Sequence, residues 1–352
     1  MKTGFGSYCV NGIPEGCRHC VKGRKLVLFI TGKCSRNCFY CSLSSKRKNI
    51  DAVWANERQC RGIKDAVQEV RESRATGAGI TGGDPLLFLP RAIKYARALK
   101  KEFKNFHIHI YLPTFLAGKK NLKALSKCTD EVRFHPGFLA KNQSSSEMNA
   151  DIEKIKSASL FWKKANIGCE LPLLPEKKQE TLDFIKKISP YAGFANLNEF
   201  ELSDTNFNYV TKHCKLNPDT YTISKSREAG IWILAKAKKA GLKIKLHACT
   251  ARTKNIYQYR NRLKLHNAIK YSKRTAEGSA VYFAVKPASM QAALKELKNL
   301  KITKFHIDKG KKQIILQEKD AVKALENKKL HLSRIEEFPT YDRTAIDIWQ
   351  LD

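Results

Sequence analysis

Between residues 25 and 250 the chain repeats one unit: a short apolar or β-branched run, a tight connection, and a stretch with helical apolar spacing. The runs at 25–31, 78–81, 106–112, 131–135, 166–174, 194–202 and 242–248 predict strands. The stretches at 65–76, 90–103, 119–127, 152–164, 179–188 and 226–240 predict helices. Strands joined through helices run parallel, and a parallel sheet needs helices over it because its strands are apolar on the covered face. The regularity of the repeat predicts an α/β fold, a partial or near-closed (β/α) barrel. In such barrels chemistry gathers at the C-terminal ends of the strands.

The rest of the chain has a different rhythm. Residues 251–277 read as a basic helical linker, with a helix expected over 255–270 carrying Arg260, Arg262, Lys264 and Lys270. Residues 278–352 read β-α-β-β-α-β, with Lys309-Gly310 marking a hairpin turn. That order predicts a small ferredoxin-like α+β domain. Residues 1–24 stand outside the repeat as a cysteine-containing N-terminal extension.

The chain carries 66 Lys and Arg against 33 Asp and Glu, a formal charge of +33. So basic a surface attracts polyanions and makes RNA a candidate partner, although the lysines are spread over the whole chain rather than gathered in one stripe. No apolar run approaches eighteen residues, so no membrane span is expected. The first residues lack the apolar stretch of a signal peptide, and the expected location is cytoplasmic. Eleven cysteines in that setting point to metal and redox chemistry rather than to a disulfide framework.

The densest chemistry follows the first strand. Cys34, Cys38 and Cys41 are spaced C-x-x-x-C-x-x-C in one tight loop. Three thiolates could belong to a zinc site, which usually wants four ligands in paired spacing, or to a disulfide. They could also hold three irons of a cubane cluster and leave the fourth iron open for a ligand, where four cysteines would close it for plain electron transfer. The turn Gly82-Gly83-Asp84-Pro85 follows the next repeat strand, which would put it on the same face.

These two segments resemble the radical S-adenosylmethionine (SAM) superfamily. Its cluster motif matches at Cys34, Cys38, Tyr40 and Cys41, and its Gly-Gly-Glu-Pro motif at Gly82 to Pro85 with Asp84 in place of Glu. More narrowly, Gly16–Cys20, Lys25–Gly32, Ala55–Arg58, Asn196–Glu199 and Arg260–Lys264 resemble an archaeal family described as related to pyruvate formate-lyase activating enzyme. The superfamily resemblance implies a [4Fe–4S] cluster on Cys34, Cys38 and Cys41, with SAM on the open iron and a protein reductant as electron source. Reductive cleavage of SAM would give methionine and a 5′-deoxyadenosyl radical. Gly82 and Gly83 would let the backbone approach the methionine amino group, and Tyr40 would meet adenine.

Further candidates are less tied to motifs. Glu170 and Arg133 on predicted strands could meet ribose or carboxylate, or face a helix. Asn196, Asn198 and Glu199 break an apolar run and point to the barrel mouth. His135 and His247 near strand ends are substrate contacts, acid–base groups or packed rings. Cys9, Cys17 and Cys20 suggest a second metal site, zinc or an auxiliary iron–sulfur cluster, with Cys249, Cys60 or His19 as fourth ligand. Cys128, Cys169 and Cys214 read as buried apolar residues. Taken together, the sequence predicts a radical SAM enzyme acting on a macromolecule. RNA is the favoured substrate from the charge, and a protein or peptide partner is the alternative.

Overall fold

The computed structural model describes residues 1–140, 145–218 and 220–351, with no side-chain description for Ser145. Asp352, at the end of the expected ferredoxin-like domain, lies outside the described residues. The chain divides into two compact units, Met1–Tyr259 and Arg260–Asp352.

The first unit is built on a ten-stranded sheet. Its centre is seven parallel strands that are neighbours in space as in the repeat: β2 (Lys25–Phe29), β5 (Gly77–Thr81), β6 (His107–Pro113), β7 (Glu131–His135), β8 (Ile167–Leu173), β9 (Phe194–Glu199) and β10 (Lys245–Cys249). At one edge a hairpin, β3 (Val53–Ala55) and β4 (Arg58–Cys60), adds antiparallel to β2. At the other edge β1 (Tyr8–Val10) pairs antiparallel with β10. The sheet therefore ends in two capped edges and does not close on itself. Residues 1–24 are more than an extension. They supply β1 and the short helix α1 (Glu15–Val21), which turns Cys17 and Cys20 into the interior.

The helices are α2 (Ile63–Ser73), α3 (Leu89–Glu102), α4 (Lys119–Ser126), α5 (Ser145–Ala158), α6 (Lys178–Ile188), α7 (Phe207–His213) and α8 (Ser226–Lys239). Local signals set their ends. Asp65 Oδ2 accepts from the backbone N–H of Arg61 at 2.8 Å and of Gly62 at 3.1 Å, closing the start of α2. Arg74 ends that helix with φ of 51°, in the left-handed conformation of many helix C-termini. The helix expected over 152–164 instead stops at Ala158, where Ser159 and Leu160 make turn hydrogen bonds.

Strand alternation sorts the side chains. Ile80, Ile108, Ile110, Val132, Phe134 and Leu171 are fully buried in the large apolar cluster that also takes in Leu99, Leu122 and Phe184 of the helices. The alternate positions His109, Arg133, Glu170, Asn196 and His247 turn to the opposite, inner face and are also buried. The inner face of a parallel barrel is ordinarily aliphatic. Here it is polar and charged.

The second unit begins with α9 (Arg260–Leu265), so the helix expected over 255–270 is split. A π-helical turn at Thr253–Tyr259 belongs to the first unit and α9 to the second. The short β11 (Lys273–Arg274) pairs with β12 (Ala280–Val285). Then come α10 (Met290–Asn299), β13 (Phe305–Asp308), β14 (Gln313–Leu316), α11 (Glu318–Leu325), β15 (Leu332–Glu337) and β16 (Ala345–Gln350). The antiparallel order β13-β14-β12-β15 is the ferredoxin-like arrangement, and β16 extends it by one edge strand. Val285, Leu297, Ile314, Leu316, Ala321 and Leu332 form its apolar core.

Candidate active site

The cysteine loop leaves β2 at its C-terminal end, and Gly82–Pro85 leaves the C-terminal end of the adjacent β5. The two are stitched together. Gly83 N–H donates to Thr31 O at 2.8 Å, and Asp84 N–H to Lys33 O at 2.9 Å. Gly82 has φ of 149°, and a Cβ there would lie 2.4 Å from Thr31 O. A Cβ on Gly83 would lie 2.2 Å from Lys33 O. Both glycines are therefore required by close backbone packing against the cysteine loop.

A cavity of about 1120 Å³ opens at this face, lined by Cys34, Cys38, Cys41, Tyr40, Gly82 and Gly83. Its other walls carry Arg36, Tyr111, His135, Glu170, Asn198, Glu199, Glu201 and Lys254. The structure thus brings together all three motif cysteines, both glycines, Tyr40, Glu170 and Asn198. Burial raises the Cys34 and Cys38 thiols above their ordinary pKa. Burial and the neighbouring Cys38 push the Tyr40 phenol well up. Arg36 anchors the cysteine loop across the cavity, donating from Nη1 to His135 O at 2.8 Å and from Nη2 to Thr114 Oγ1 at 2.6 Å.

Asp84 and Pro85 depart from expectation. Neither lines the cavity. Asp84 is fully buried: its Oδ2 accepts from Ser35 Oγ at 2.6 Å and its Oδ1 from Leu86 N–H at 2.9 Å. The carboxylate caps the short 3₁₀ turn at Pro85–Phe88 and holds Ser35 of the cysteine loop. Burial raises its pKa against the Ser35 hydrogen bond. Its reach is spent on positioning the loop, because the tight turn aims the side chain inward.

Glu170 forms the cavity floor. Its Oε1 accepts from Arg133 Nη1 at 2.6 Å and Asn196 Nδ2 at 2.7 Å, and its Oε2 from Asn198 Nδ2 at 2.7 Å. Burial works to raise its pKa, but Arg133, with Asn198 and His135, outweighs this and keeps it below the ordinary carboxylate value. Arg133 does not reach the cavity. It lies 1 % exposed beneath Glu170, with Nε 2.5 Å from Glu131 Oε1. Asn196 and His247 also sit below the mouth, and His247 is held between Ser7 Oγ at 2.9 Å and Asn196 Oδ1 at 3.3 Å as a packed ring. Burial pushes the His247 imidazole down to about 4. His135 lines the cavity, and burial lowers its pKa too.

The expected second metal site takes a different form. Cys17, Cys20 and Cys249 are buried. Cys17 Sγ accepts from Asn196 Nδ2 at 3.0 Å and Arg133 Nη1 at 3.4 Å, and Cys249 Sγ accepts from Gln258 Nε2 at 3.5 Å. Among the described residues, no three of the sulfurs of Cys9, Cys17, Cys20 and Cys249 lie within 4.8 Å of one another. Hydrogen bonds thus occupy the Cys17 thiol from the inner face and the Cys249 thiol from the π-helical turn. Cys60 stands on the edge hairpin, where its thiol meets Arg58 O at 3.6 Å. His19 Nδ1 lies 2.8 Å from Thr76 Oγ1. Cys128 and Cys169 are buried as read, whereas Cys214 is only half-buried just past α7.

Sequence reasoning passed over Arg36, Tyr111, Glu201 and Lys254. Lys254 projects from the π-helical turn, ion-pairs with Glu201 and donates toward Glu199 O at 3.5 Å. Its only sequence signal is a lysine just past the last repeat strand.

The donor set fits a [4Fe–4S] cluster: three free cysteines line one cavity wall, in a loop fixed at Ser35 and Arg36. A parallel α/β unit with such a loop after its first parallel strand is the framework of an enzyme that works through an open cluster. The radical SAM superfamily model matches residues 28–185. A protein of Methanocaldococcus jannaschii, provisionally named a glycyl-radical enzyme activating enzyme, is 37% identical over 255 residues, 71% of this chain and 67% of that protein. The chain belongs to the radical SAM superfamily of enzymes. Two solved structures are also similar. A radical S-adenosylmethionine methyltransferase, TsrM, from Kitasatospora setae gives a TM-score of 0.34 at 9% identity, covering 53% of this chain and 39% of that one. Coproporphyrinogen III oxidase, HemN, from Escherichia coli gives 0.38 at 12%, covering 66% and 57%. No helix among the described residues is long and apolar enough to cross a membrane.

Proposed function

We propose that this enzyme generates a 5′-deoxyadenosyl radical and uses it on a polypeptide partner in the cytoplasm, with a protein reductant supplying the electron. The observation that carries the chemistry is the shared cavity of Cys34, Cys38, Cys41, Gly82 and Gly83. A cluster on the three cysteines would supply, with SAM, one-electron cleavage to methionine and the adenosyl radical.

The chain's own residues would then do four things. Ser35, Asp84 and Arg36 hold the cysteine loop at fixed height over the cavity. Backbone groups at Gly82 and Gly83 are accessible from the cavity for polar ends of SAM. Asn198 and Glu170 offer polar groups on the floor, with Glu170 kept ionised by Arg133 and free to take hydroxyl donors on its remaining lone pairs. The cavity exceeds the usual range for a small-molecule site of about 300–1,000 Å³, which leaves room for a substrate segment beside SAM.

A polypeptide substrate is favoured over RNA by the Methanocaldococcus jannaschii relative, whose name describes activation of a glycyl-radical enzyme. The charge of +33 is the support for RNA and is equally served by an acidic protein. Whether SAM is consumed or recycled is a property of that partner reaction. The test is isotope transfer. Reduced, cluster-reconstituted enzyme is given SAM and either a deuterated protein fraction or a deuterated RNA fraction. Deuterium should appear in 5′-deoxyadenosine with the protein fraction; deuterium from the RNA fraction alone would overturn the polypeptide reading.

A further inference from the structure

An aromatic strip leads out of the cavity. Tyr40 lines the cavity wall. Phe39 packs on it edge-on, with ring centroids 5.0 Å apart and planes at 80°. Tyr209 of α7 packs on Phe39 at 4.2 Å, and His213 on Tyr209 at 4.8 Å. The exposed His213 ends the row, and Phe207, 52 % exposed, opens the same helix. The row is therefore continuous from the radical pocket to solvent.

The strip is held in place rather than laid loosely on the surface. Ser203 Oγ donates to Cys41 O at 3.0 Å, and Thr205 Oγ1 lies 2.7 Å from Cys41 O and 2.8 Å from Leu43 O, with its one proton shared between them. These bonds tie the start of α7 to the cysteine loop itself. A segment lying along α7 would thus be registered against the cavity.

We propose that this strip is the docking track for the substrate, an acidic polypeptide segment that carries aromatic side chains. The proposal rests on the polypeptide reading above. Two features select that chemistry. The first is charge. Lys46, Lys212 and Lys215 are exposed on the two segments that carry the strip. Of the nearby carboxylates, Asp204 accepts from Ser45 N–H and Oγ, and Glu176, whose charge acts on the Tyr209 phenol, is exposed. Against a chain of +33, an acidic segment is attracted. The second feature is ring packing. Phe39 packs edge-on against Tyr40 and at a 41° tilt against Tyr209, so the rings of the row already pack on one another and a further side-chain ring can extend it in the same way. Stacking of single-stranded RNA needs open ring faces, whereas aromatic side chains pack well against edges.

Binding to labelled polymers tests this by fluorescence anisotropy: a random glutamate–tyrosine copolymer, polyglutamate, and an oligouridylate. The wild-type enzyme should bind the copolymer more tightly than polyglutamate. Tyr209→Ala and His213→Ala together should weaken copolymer binding about tenfold and leave polyglutamate binding unchanged. Tyr209→Phe, which keeps the ring, should retain copolymer binding. Equal binding of copolymer and polyglutamate, or a loss in the double variant confined to oligouridylate, would overturn the track. The polypeptide reading fails separately, through the deuterium experiment with the unmodified enzyme. Deuterium from protein together with equal polymer binding would reject the track alone.

Discussion

Arg133 in the first unit and Arg343 in the second each hold two carboxylates, yet their surroundings differ. Arg133 is 1 % exposed between Glu131 and Glu170, and Glu170 opens onto a cavity of about 1120 Å³. Arg343 holds Asp308 and Glu337 and touches the Tyr282 hydroxyl at 3.1 Å, with its side chain 20 % exposed. Lys311 adds a second cation to Glu337 at 2.7 Å, and Gln313 bridges Tyr282 and Asp308 at 3.0 Å. The second network closes on itself at the end of a small sheet. The first ends in a carboxylate presented to the cavity, with Arg133 Nη2 paired to Glu131. Buried charge in the second unit is enclosed by its own partners; in the first it also lines a cavity.

Substitutions separate the two. Arg133→Met should strand two buried carboxylates and cost about 3–5 kcal/mol, read as a large fall in thermal unfolding temperature. A loss no greater than that of Arg343→Met would break the comparison. The next effect is acid sensitivity. His247 has its pKa lowered by burial from 6.5 to about 4, so the unfolded chain takes up a proton before the folded one does. Stability is therefore unaffected by this group above pH 6.5 and falls as pH drops from 6.5 toward 4, by about 3 kcal/mol in all. His247→Gln should flatten that part of the stability–pH curve; an unchanged slope would remove His247 from the buried network. Arg343→Met is the smallest, about 1–2 kcal/mol, because Arg343 itself is partly exposed and Lys311 still compensates the buried Glu337.

The comparison also marks what the sequence could tell. The seven parallel strands were readable because each is bounded by turn residues and followed by a helical period. The outer strands β1, β3, β4 and β16 are not signalled. The first three have only three residues each, too few to define a period, and β16 is exposed along its length. His107-Ile108-His109-Ile110-Tyr111 reads plainly as a strand, but its alternation does not say which face is inside. Here the isoleucines meet the helices and the histidines face inward, so the polar interior became visible only in three dimensions. The cavity residues in motifs were legible by spacing. Arg36 lies inside the cysteine motif at a position whose spacing carries no signal, and Glu201 and Lys254 are brought to the cavity by chain crossings rather than local pattern. Asp84 shows the limit of a motif: its position was readable, while its hydrogen bond to Ser35 depends on how two turns pack.

The direct test of the account is 5′-deoxyadenosine formation by reduced, reconstituted protein given SAM, compared between the wild-type chain and Cys34→Ala. The account predicts 5′-deoxyadenosine and methionine from the wild type and background levels from the variant. Equal formation by Cys34→Ala would contradict it.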